Sequence, residues 1–171
     1  TEPFILPEEK YYQNGIVVNL SEVGRTDPLT KSSSFIQISR AERDKNQTEG
    51  IYESLIVHRG RIREGFTSNA WFIRDGALIT ANRNILKGVT RSVILTCAKQ
   101  IGIKISYKSF RIAELDSVSE AFISSSSRGV MPIHKIMASD FQRTAPGPLT
   151  IKLMKAYDET IQNIAEKVAG K

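Results

Sequence analysis

The chain has 171 residues, 40% of them hydrophobic and 25% charged, which is typical of a globular domain and unlike a disordered segment. Its 24 lysines and arginines exceed its 18 acidic residues, giving a net charge of +6, but they are spread along the chain and only 8% of residues are aromatic. A nucleic-acid partner is therefore not expected, because such proteins gather basic residues and stacking aromatics on one surface. The charge instead favours anionic small molecules near a cleft.

The sequence also bears on membrane association and compartment. The longest apolar runs are far too short to cross a bilayer, and residues Thr1 to Phe4 lack a basic and apolar leader. Cys97 is the single cysteine, so the chain cannot contain an internal disulfide. We therefore expect a cytoplasmic protein without a membrane partner.

In chain order, the first half is predicted to form a linker, a strand, a helix, a strand and then a hairpin of two strands. These segments cover residues 1–14, 16–20, 33–45, 51–57, 70–74 and 77–80. Weak periodicity indicates the linker or entry arm, and β-branched runs predict the strands. Serines at the start of the helix can cap it, and Asp75-Gly76 is a strong signal for a hairpin turn.

The second half is predicted to form a helix, a strand, a short helix, two strands and a long final helix. These segments cover residues 90–101, 103–110, 112–118, 121–123, 130–136 and 148 onward. Apolar residues at helical spacing predict the first helix, with Cys97 on its buried face, and Pro148 suits the first turn of the last one. We expect one α/β or mixed α+β domain, with a central sheet or open barrel flanked by helices.

Three polar segments are candidates for chemistry. Glu64 begins a polar elbow that contains Gly65, Thr67, Ser68 and Asn69 and then enters an apolar strand. On its own, a glutamate at such a corner is usually a solvated residue.

The second segment, residues 88–91, precedes a predicted helix, where a glycine lets backbone N–H groups approach an anion and Thr90 adds a hydroxyl. The alternative is an ordinary helix cap. The third segment, Ser124 to Ser127, ends a predicted strand and is either a second anion-binding turn or a solvated loop.

Lys31, just before the first predicted helix, completes the set. Most lysines are surface residues, but a buried lysine with a lowered pKa can form a Schiff base with an aldehyde cofactor. A carboxylate such as Glu64 can keep a pyridine nitrogen protonated and make the ring an electron sink. An amine, an acid and two anion-binding turns therefore predict a site for pyridoxal phosphate. His58 and His134 lie far apart in the sequence, so no metal site is expected.

The order of these segments resembles the class IV aminotransferases. A lysine before a helix is followed by Glu64-Gly65 with Ser68-Asn69, by Ile85-Leu86-Lys87-Gly88-Val89-Thr90-Arg91, and by a serine-rich turn leading to Val130-x-Pro132-Ile133. These pyridoxal-phosphate enzymes of fold type IV include branched-chain and D-amino-acid aminotransferases and aminodeoxychorismate lyase. The resemblance covers nearly the whole chain.

The resemblance implies a role for each residue of the predicted site. Lys31 would be the Schiff-base lysine and proton carrier, and its interval of 33 positions to Glu64 favours it over Lys45. Glu64 would be the partner of the pyridine nitrogen. The remaining cofactor-binding residues would be Leu86, Val89, Thr90, Ser125 and Ser126. The substrate carboxylate would lie near Thr67, Ser126 and Ser127.

The resemblance also implies how the chain is organised. Residues 15–171 would be the large C-terminal, cofactor-binding domain and residues 1–14 its linker, while the family's small N-terminal domain has no counterpart in this chain. Phe35 stands about where branched-chain enzymes place a tyrosine, which gives weight to the D-amino-acid and lyase-like branches. The partners would be an amino acid, a 2-oxo acid and a second copy of the protein in a homodimer.

Two alternatives within this family remain open from the sequence, and nucleic-acid binding, suggested by the net positive charge, is a third and minor one. One is an aminodeoxychorismate lyase-like activity, which would use the same residues. The other is a truncated domain that keeps the scaffold but does not turn over substrate.

Overall fold

The computed structural model describes residues 7–22 and 33–170, with side chains from residue 37 onward in the second range. The predicted catalytic Lys31 lies outside these described residues, as does the side chain of Phe35. Within the described ranges, nine strands form one sheet and helices pack on it. None of the helices in that part of the chain is long and apolar enough to cross a membrane.

Helices and strands are interleaved along the chain. In sequence order they are α1 (Glu9–Asn14), β1 (Ile16–Ser21), α2 (Ser33–Thr48), β2 (Glu53–His58), β3 (Arg61–Gly65), β4 (Asn69–Arg74), β5 (Ala77–Thr80), α3 (Val89–Gln100), β6 (Ile105–Tyr107), β7 (Phe110–Arg111), a 3-10 helix (Ile112–Ser117), β8 (Glu120–Ser125), β9 (Gly129–Ile136) and α4 (Pro148–Ala169).

Most predicted elements are present close to their expected bounds, but two expectations differ from the structure. Part of the predicted linker forms α1, which periodicity missed because this helix has six residues and buries none of them. The strand predicted over 103–110 is instead two separate strands, β6 and β7. The alternation of Ile103, Ile105 and Tyr107 with polar residues predicts one strand, but after Tyr107 the chain pairs at the opposite edge of the sheet.

The sheet is curled so that its two edges approach each other. The strand order is β6-β5-β4-β8-β9-β1-β2-β3-β7, which puts β6 and β7 at opposite edges. Only residues 108 and 109 separate these two strands in the sequence, so the edges must lie close together in space. The prediction of a mixed α+β domain built on a central sheet or open barrel is confirmed.

Each face of the curled sheet has its own core. Inside the curl, Phe72 of β4 stacks on Phe110 of β7, with 4.9 Å between ring centroids. On the outer face, Trp71 stacks on Phe122 of β8 at 5.5 Å, and residues of α3 and α4 cover them. The change of side between Trp71 and Phe72 follows from the two-residue period of a strand. The buried Cys97 of α3 confirms its predicted place in the core.

The start of α4 is fixed by a side chain from a neighbouring strand. The carboxylate of Glu120 on β8 accepts hydrogen bonds from the backbone N–H groups of Leu149 and Thr150, at 3.0 and 2.7 Å. Gly147 is the cap residue, and a Cβ there would lie 2.3 to 2.5 Å from the Glu120 side chain. A glycine is therefore required for the acid to reach the helix end.

We predict that Gly147→Ala lowers the free energy of unfolding by about 2 kcal/mol, because the methyl group would displace the Glu120 cap. Chemical denaturation monitored by circular dichroism measures this change. Gly170→Ala is the matched control at the other end of α4, where the nearest atom to an added Cβ is a carbonyl oxygen at 3.3 Å. A loss of stability in Gly170→Ala equal to that in Gly147→Ala would contradict the explanation.

Candidate active site

Glu64 is a buried carboxylate whose position is set by strand pairing. It lies opposite Ile56 of β2, next to an irregularity in the β2–β3 register. Residues opposite each other in an antiparallel pair share a face of the sheet, and Ser54, two residues before Ile56, contacts Asn46 of α2. Glu64 therefore lies on the side of the sheet that α2 covers. It is 2% exposed.

The main chain of Leu86 connects Glu64 with the next strand. The backbone N–H of Leu86 donates to Oε2 of Glu64 at 2.9 Å, and its carbonyl oxygen accepts from Nδ2 of Asn69 at 2.8 Å. Three residues of the motifs that carry the family resemblance are thus brought together. This arrangement orients the Glu64 carboxylate through a hydrogen bond that does not depend on any bound molecule.

Two residues after Leu86 the chain enters α3. Gly88 occupies the cap position and has no side chain with which to cap the helix. Val89 is 76% exposed at this end of the helix. Thr90 is buried in the first turn, and its hydroxyl lies 3.4 Å from that of Ser126. Backbone N–H groups and two hydroxyls at a helix start can bind an anion.

Arg91 fixes the segment that leads to this helix. Its guanidinium donates to the carbonyl oxygen of Ala81 at 2.8 Å and lies 5.7 Å from the ring of Trp71. Burial lowers the pKa of Arg91 below its ordinary value. Arg91 closes one of the motifs that carry the family resemblance, but no role was predicted for it. The structure shows that it anchors the chain between β5 and α3.

A second polar cluster, which the sequence analysis missed, is centred on Glu53. Oε1 of Glu53 accepts from the backbone N–H and the hydroxyl of Thr67, at 2.6 and 3.0 Å, and Oε2 accepts from the hydroxyl of Ser68 at 3.0 Å. A Cβ on Gly65 would lie 2.9 Å from Oε1 of Glu53 and within 2.5 Å of Oγ of Ser68. Gly65 is therefore needed for the acid to reach the turn at residues 66–68.

Arg128 completes this cluster from the other side. Its Nη1 donates to Oε2 of Glu53 at 2.8 Å, and its Nε donates to the hydroxyl of Ser125 at 2.9 Å. Its Nη2 donates to the carbonyl oxygen of Thr67 at 3.0 Å and to the Thr67 hydroxyl at 2.5 Å. The turn at 66–68 and the serine turn at 125–128 are thus tied to one ion pair.

A cavity of about 790 Å³ adjoins this cluster. Thr67, Ser127 and Arg128 contribute to its wall, together with Tyr11 and Tyr52. Burial raises the pKa of the Tyr52 phenol above its ordinary value, and the charge of nearby Arg128 opposes that shift. The cavity therefore combines aromatic surface with many polar and charged side chains, among them Glu42, Arg43 and His134.

The predicted site residues fall into groups that the structure connects. Glu64 meets Leu86, Thr90 meets Ser126, and Thr67 is linked to Ser125 through Arg128. The hydroxyl of Ser127 lies 3.3 Å from that of Ser125. Lys31 lies outside the described residues. Glu53 had no signal in the sequence, because its partner Arg128 is 75 positions away.

Comparisons with known proteins agree with the resemblance. Residues 5–136 match the family described as amino-transferase class IV. The chain is 28% identical over 166 residues to a probable branched-chain-amino-acid aminotransferase of Thermotoga maritima, an alignment that covers 92% of this chain and 60% of the relative. It is 31% identical over 157 residues to a D-alanine aminotransferase of Listeria monocytogenes, covering 90% of this chain and 54% of that relative.

The fold has a close counterpart among solved structures. A putative branched-chain amino acid aminotransferase from Thermotoga maritima superposes with a TM-score of 0.78 at 26% identity, covering 95% of this chain and 60% of that one. The chain thus spans between 54% and 60% of the length of these relatives. The family match over residues 5–136, together with the shared fold, shows that this chain belongs to the class IV aminotransferase family.

Proposed function

We propose that this chain is the cofactor-binding part of a pyridoxal-phosphate-dependent aminotransferase that moves an amino group between an amino acid and a 2-oxo acid. The main supporting observation is the path of one short segment. Leu86 holds the buried carboxylate of Glu64, and within four residues the same segment reaches the start of α3, where Thr90 meets Ser126. The segment from Leu86 to Thr90 thus contacts both the buried acid and the anion-binding turn.

The described residues fit this cofactor by the chemistry of their donor and acceptor groups. A ring nitrogen requires a nearby carboxylate, and Glu64 is buried and oriented by a backbone N–H. A phosphate requires N–H and O–H donors, which Val89, Thr90 and Ser126 can supply at the start of α3. When bound, pyridoxal phosphate supplies an electron sink for the carbanion formed at the substrate α-carbon.

Each residue then has a separate task in the proposed reaction. The Nζ atom of Lys31 holds the cofactor and carries the proton removed from the substrate α-carbon. Glu64 keeps a negative charge beside the ring nitrogen, and the backbone N–H of Leu86 keeps that carboxylate in place. The side chain of Leu86 packs on the ring.

The remaining predicted residues bind the two anionic groups. Val89, Thr90, Ser125 and Ser126 hold the phosphate, and Thr67, Ser126 and Ser127 lie near the substrate carboxylate. Thr67 already uses its backbone N–H and its hydroxyl within the Glu53 cluster, so any part that it has is through the position of its turn. We also propose a homodimer, as the family resemblance implies, and a cytoplasmic location, as expected from the single cysteine.

A second candidate is a domain that binds the cofactor without turnover. It would use the same cofactor-binding residues, and the chain spans between 54% and 60% of the length of the curated relatives it matches. An aminodeoxychorismate lyase-like activity would use the same residues. Assays for amino transfer from a panel of amino acids to 2-oxoglutarate, run beside an assay for pyruvate release, distinguish these reactions.

The proposal is tested first through Lys31. We expect the purified protein to keep an absorbance band near the visible edge after incubation with pyridoxal phosphate and removal of unbound cofactor, and Lys31→Ala to lose it, because retention of the band requires a covalent link to a lysine amine. Lys45→Ala is the matched control, since Lys45 is exposed on α2. Absence of the band in the unaltered protein, or its survival in Lys31→Ala, would overturn the assignment.

Glu64→Gln should lower kcat by on the order of a hundredfold while changing cofactor affinity much less, because it removes a preorganised charge but retains an acceptor for Leu86. Steady-state kinetics and a cofactor titration measure the two quantities. Glu114→Gln serves as the control, since Glu114 pairs with Arg74 and not with Leu86. Equal losses of kcat and cofactor affinity in Glu64→Gln would refute the assigned role.

Thr90→Ala should weaken cofactor retention by about tenfold, because it removes a hydroxyl donor to a charged phosphate. Equilibrium dialysis followed by cofactor absorbance gives the dissociation constant. Thr96→Ala, in the same helix, is the control, as its hydroxyl contacts only the carbonyl oxygen of Ser92 among the hydrogen bonds described. Equal effects of the two substitutions would exclude a phosphate contact for Thr90.

A further inference from the structure

We infer that Glu53 and Arg128 are positioning residues that set where the substrate carboxylate binds, an inference that rests on the proposed function. Neither residue is among the predicted cofactor or substrate contacts. Glu53 begins β2, and Arg128 lies in the turn between β8 and β9. Their ion pair, at 2.8 Å, joins two turns that are distant in the sequence.

Glu53 uses both of its oxygens within this cluster. Oε1 accepts two hydrogen bonds from Thr67, and Oε2 accepts one each from Ser68 and Arg128. The side chain is 5% exposed, so water contributes little to its solvation. A buried carboxylate with four donors is fixed in orientation, and it fixes the turn at 66–68 in return.

Arg128 is held in the same way. Its side chain is 13% exposed, and its Nε, Nη1 and Nη2 atoms all donate to protein oxygens. The guanidinium lies 5.8 Å from the ring of Tyr52, and the Arg128 carbonyl oxygen accepts from the phenol of Tyr12 at 2.9 Å. Both the main chain and the side chain of Arg128 are therefore anchored.

The serine turn depends on this anchor. Ser126 and Ser127 are exposed, and the turn closes through one backbone hydrogen bond, from Arg128 N–H to the Ser125 carbonyl oxygen at 3.2 Å. The Arg128 side chain adds the link from Ser125 to Glu53 and Thr67. Because these turns carry the predicted contacts to the substrate carboxylate, their relative position sets the geometry of that contact.

The contacts favour an indirect role for Arg128 over direct binding of the substrate. Its charge is balanced by Glu53 at 2.8 Å, and its Nη2 is occupied by Thr67. A guanidinium in this state is poorly suited to bind a second carboxylate, since it would have to leave Glu53 buried and unpaired. The contacts of Glu64 with Leu86 and of Thr90 with Ser126 do not include either residue of the pair.

Glu53→Gln in the protein with its cofactor bound tests this inference. We expect KM for the amino acid and for the 2-oxo acid to rise by about tenfold, with kcat and cofactor affinity each changing by less than about threefold. The dissociation constant of 4-methylvalerate, a carboxylate with no amino group, should rise by a similar factor and is measured through the absorbance of bound cofactor. That titration reports binding without turnover.

Three further variants sharpen the test. Glu114→Gln is the matched control, because Glu114 pairs with Arg74 and contacts neither turn, and it should leave all constants unchanged. Arg128→Lys keeps the charge but cannot reach Glu53, Ser125 and Thr67 at once, so it should reproduce the loss of carboxylate affinity. It should also weaken cofactor binding, because Arg128 contacts Ser125, which is assigned to the phosphate. A Glu53→Gln/Arg128→Met double variant should lose no more carboxylate affinity than Arg128→Met alone, as expected for residues that act as a unit.

The possible outcomes separate cleanly. Unchanged carboxylate affinity in folded Glu53→Gln or, if that variant does not fold, in Arg128→Lys would overturn the inference while leaving the proposed function intact. A parallel loss of carboxylate and cofactor affinity in Glu53→Gln would also overturn it, since it would indicate a general structural role. If the unaltered protein does not bind pyridoxal phosphate, the proposed function fails and this inference fails with it.

Discussion

The main chain of Leu86 joins two strands that do not pair with each other. Strands β3 and β4 follow each other in the sequence, yet four strands separate them in the order of the sheet. They diverge from the turn at 66–68. The gap between them, where the two edges of the curled sheet approach each other, is here called the opening of the curl. Glu64 on one strand and Asn69 on the other both bond to Leu86, so this residue bridges the opening where strand pairing cannot.

The curl explains why polar groups collect at this place. Strand β7 pairs only with Arg61 and Ile62 of β3, and β5 pairs only with residues 72–74 of β4. The parts of β3 and β4 nearest the turn therefore lack a strand partner at the opening. Side chains and a loop provide hydrogen bonds there instead, which satisfies backbone and side-chain groups at an otherwise bare edge. A cleft with oriented acids and hydroxyls is the result.

Sequence reasoning succeeded where the relevant residues are local. The hairpin at Asp75-Gly76 could be predicted because this residue pair tolerates the positive φ angles that a tight hairpin turn requires. In the structure the two φ angles are 52° and 71°. The strands of the core could be predicted because β-branched and aromatic residues occur in runs along them, which is also a local signal. Leu86, Gly88 and Thr90 could be grouped because they lie in one short motif, although the bond from Leu86 to Glu64 is visible only in three dimensions.

Long-range pairs could not be predicted in this way. Glu53 looks like any residue at the start of a strand, and only the folded sheet brings it to Arg128. The separation of β6 from β7 was missed because alternating apolar and polar residues carry no signal for the edge of the sheet at which a strand pairs. The family resemblance assigned roles only to residues of the quoted motifs. Glu53 lies outside these motifs, so its contacts could be found only in the folded structure.

Helices α3 and α4 begin alike, each with glycine at the cap position, yet they differ in electrostatic character. The positive end of α4 has an internal counter-ion, since Glu120 lies against its first N–H groups. Among the described hydrogen bonds, no carboxylate accepts from the first N–H groups of α3, and Glu64 instead accepts from Leu86, two residues before the cap. Solution anions should therefore accumulate near α3 and be repelled from α4, so that the fold itself selects which of two similar helix ends attracts a phosphate.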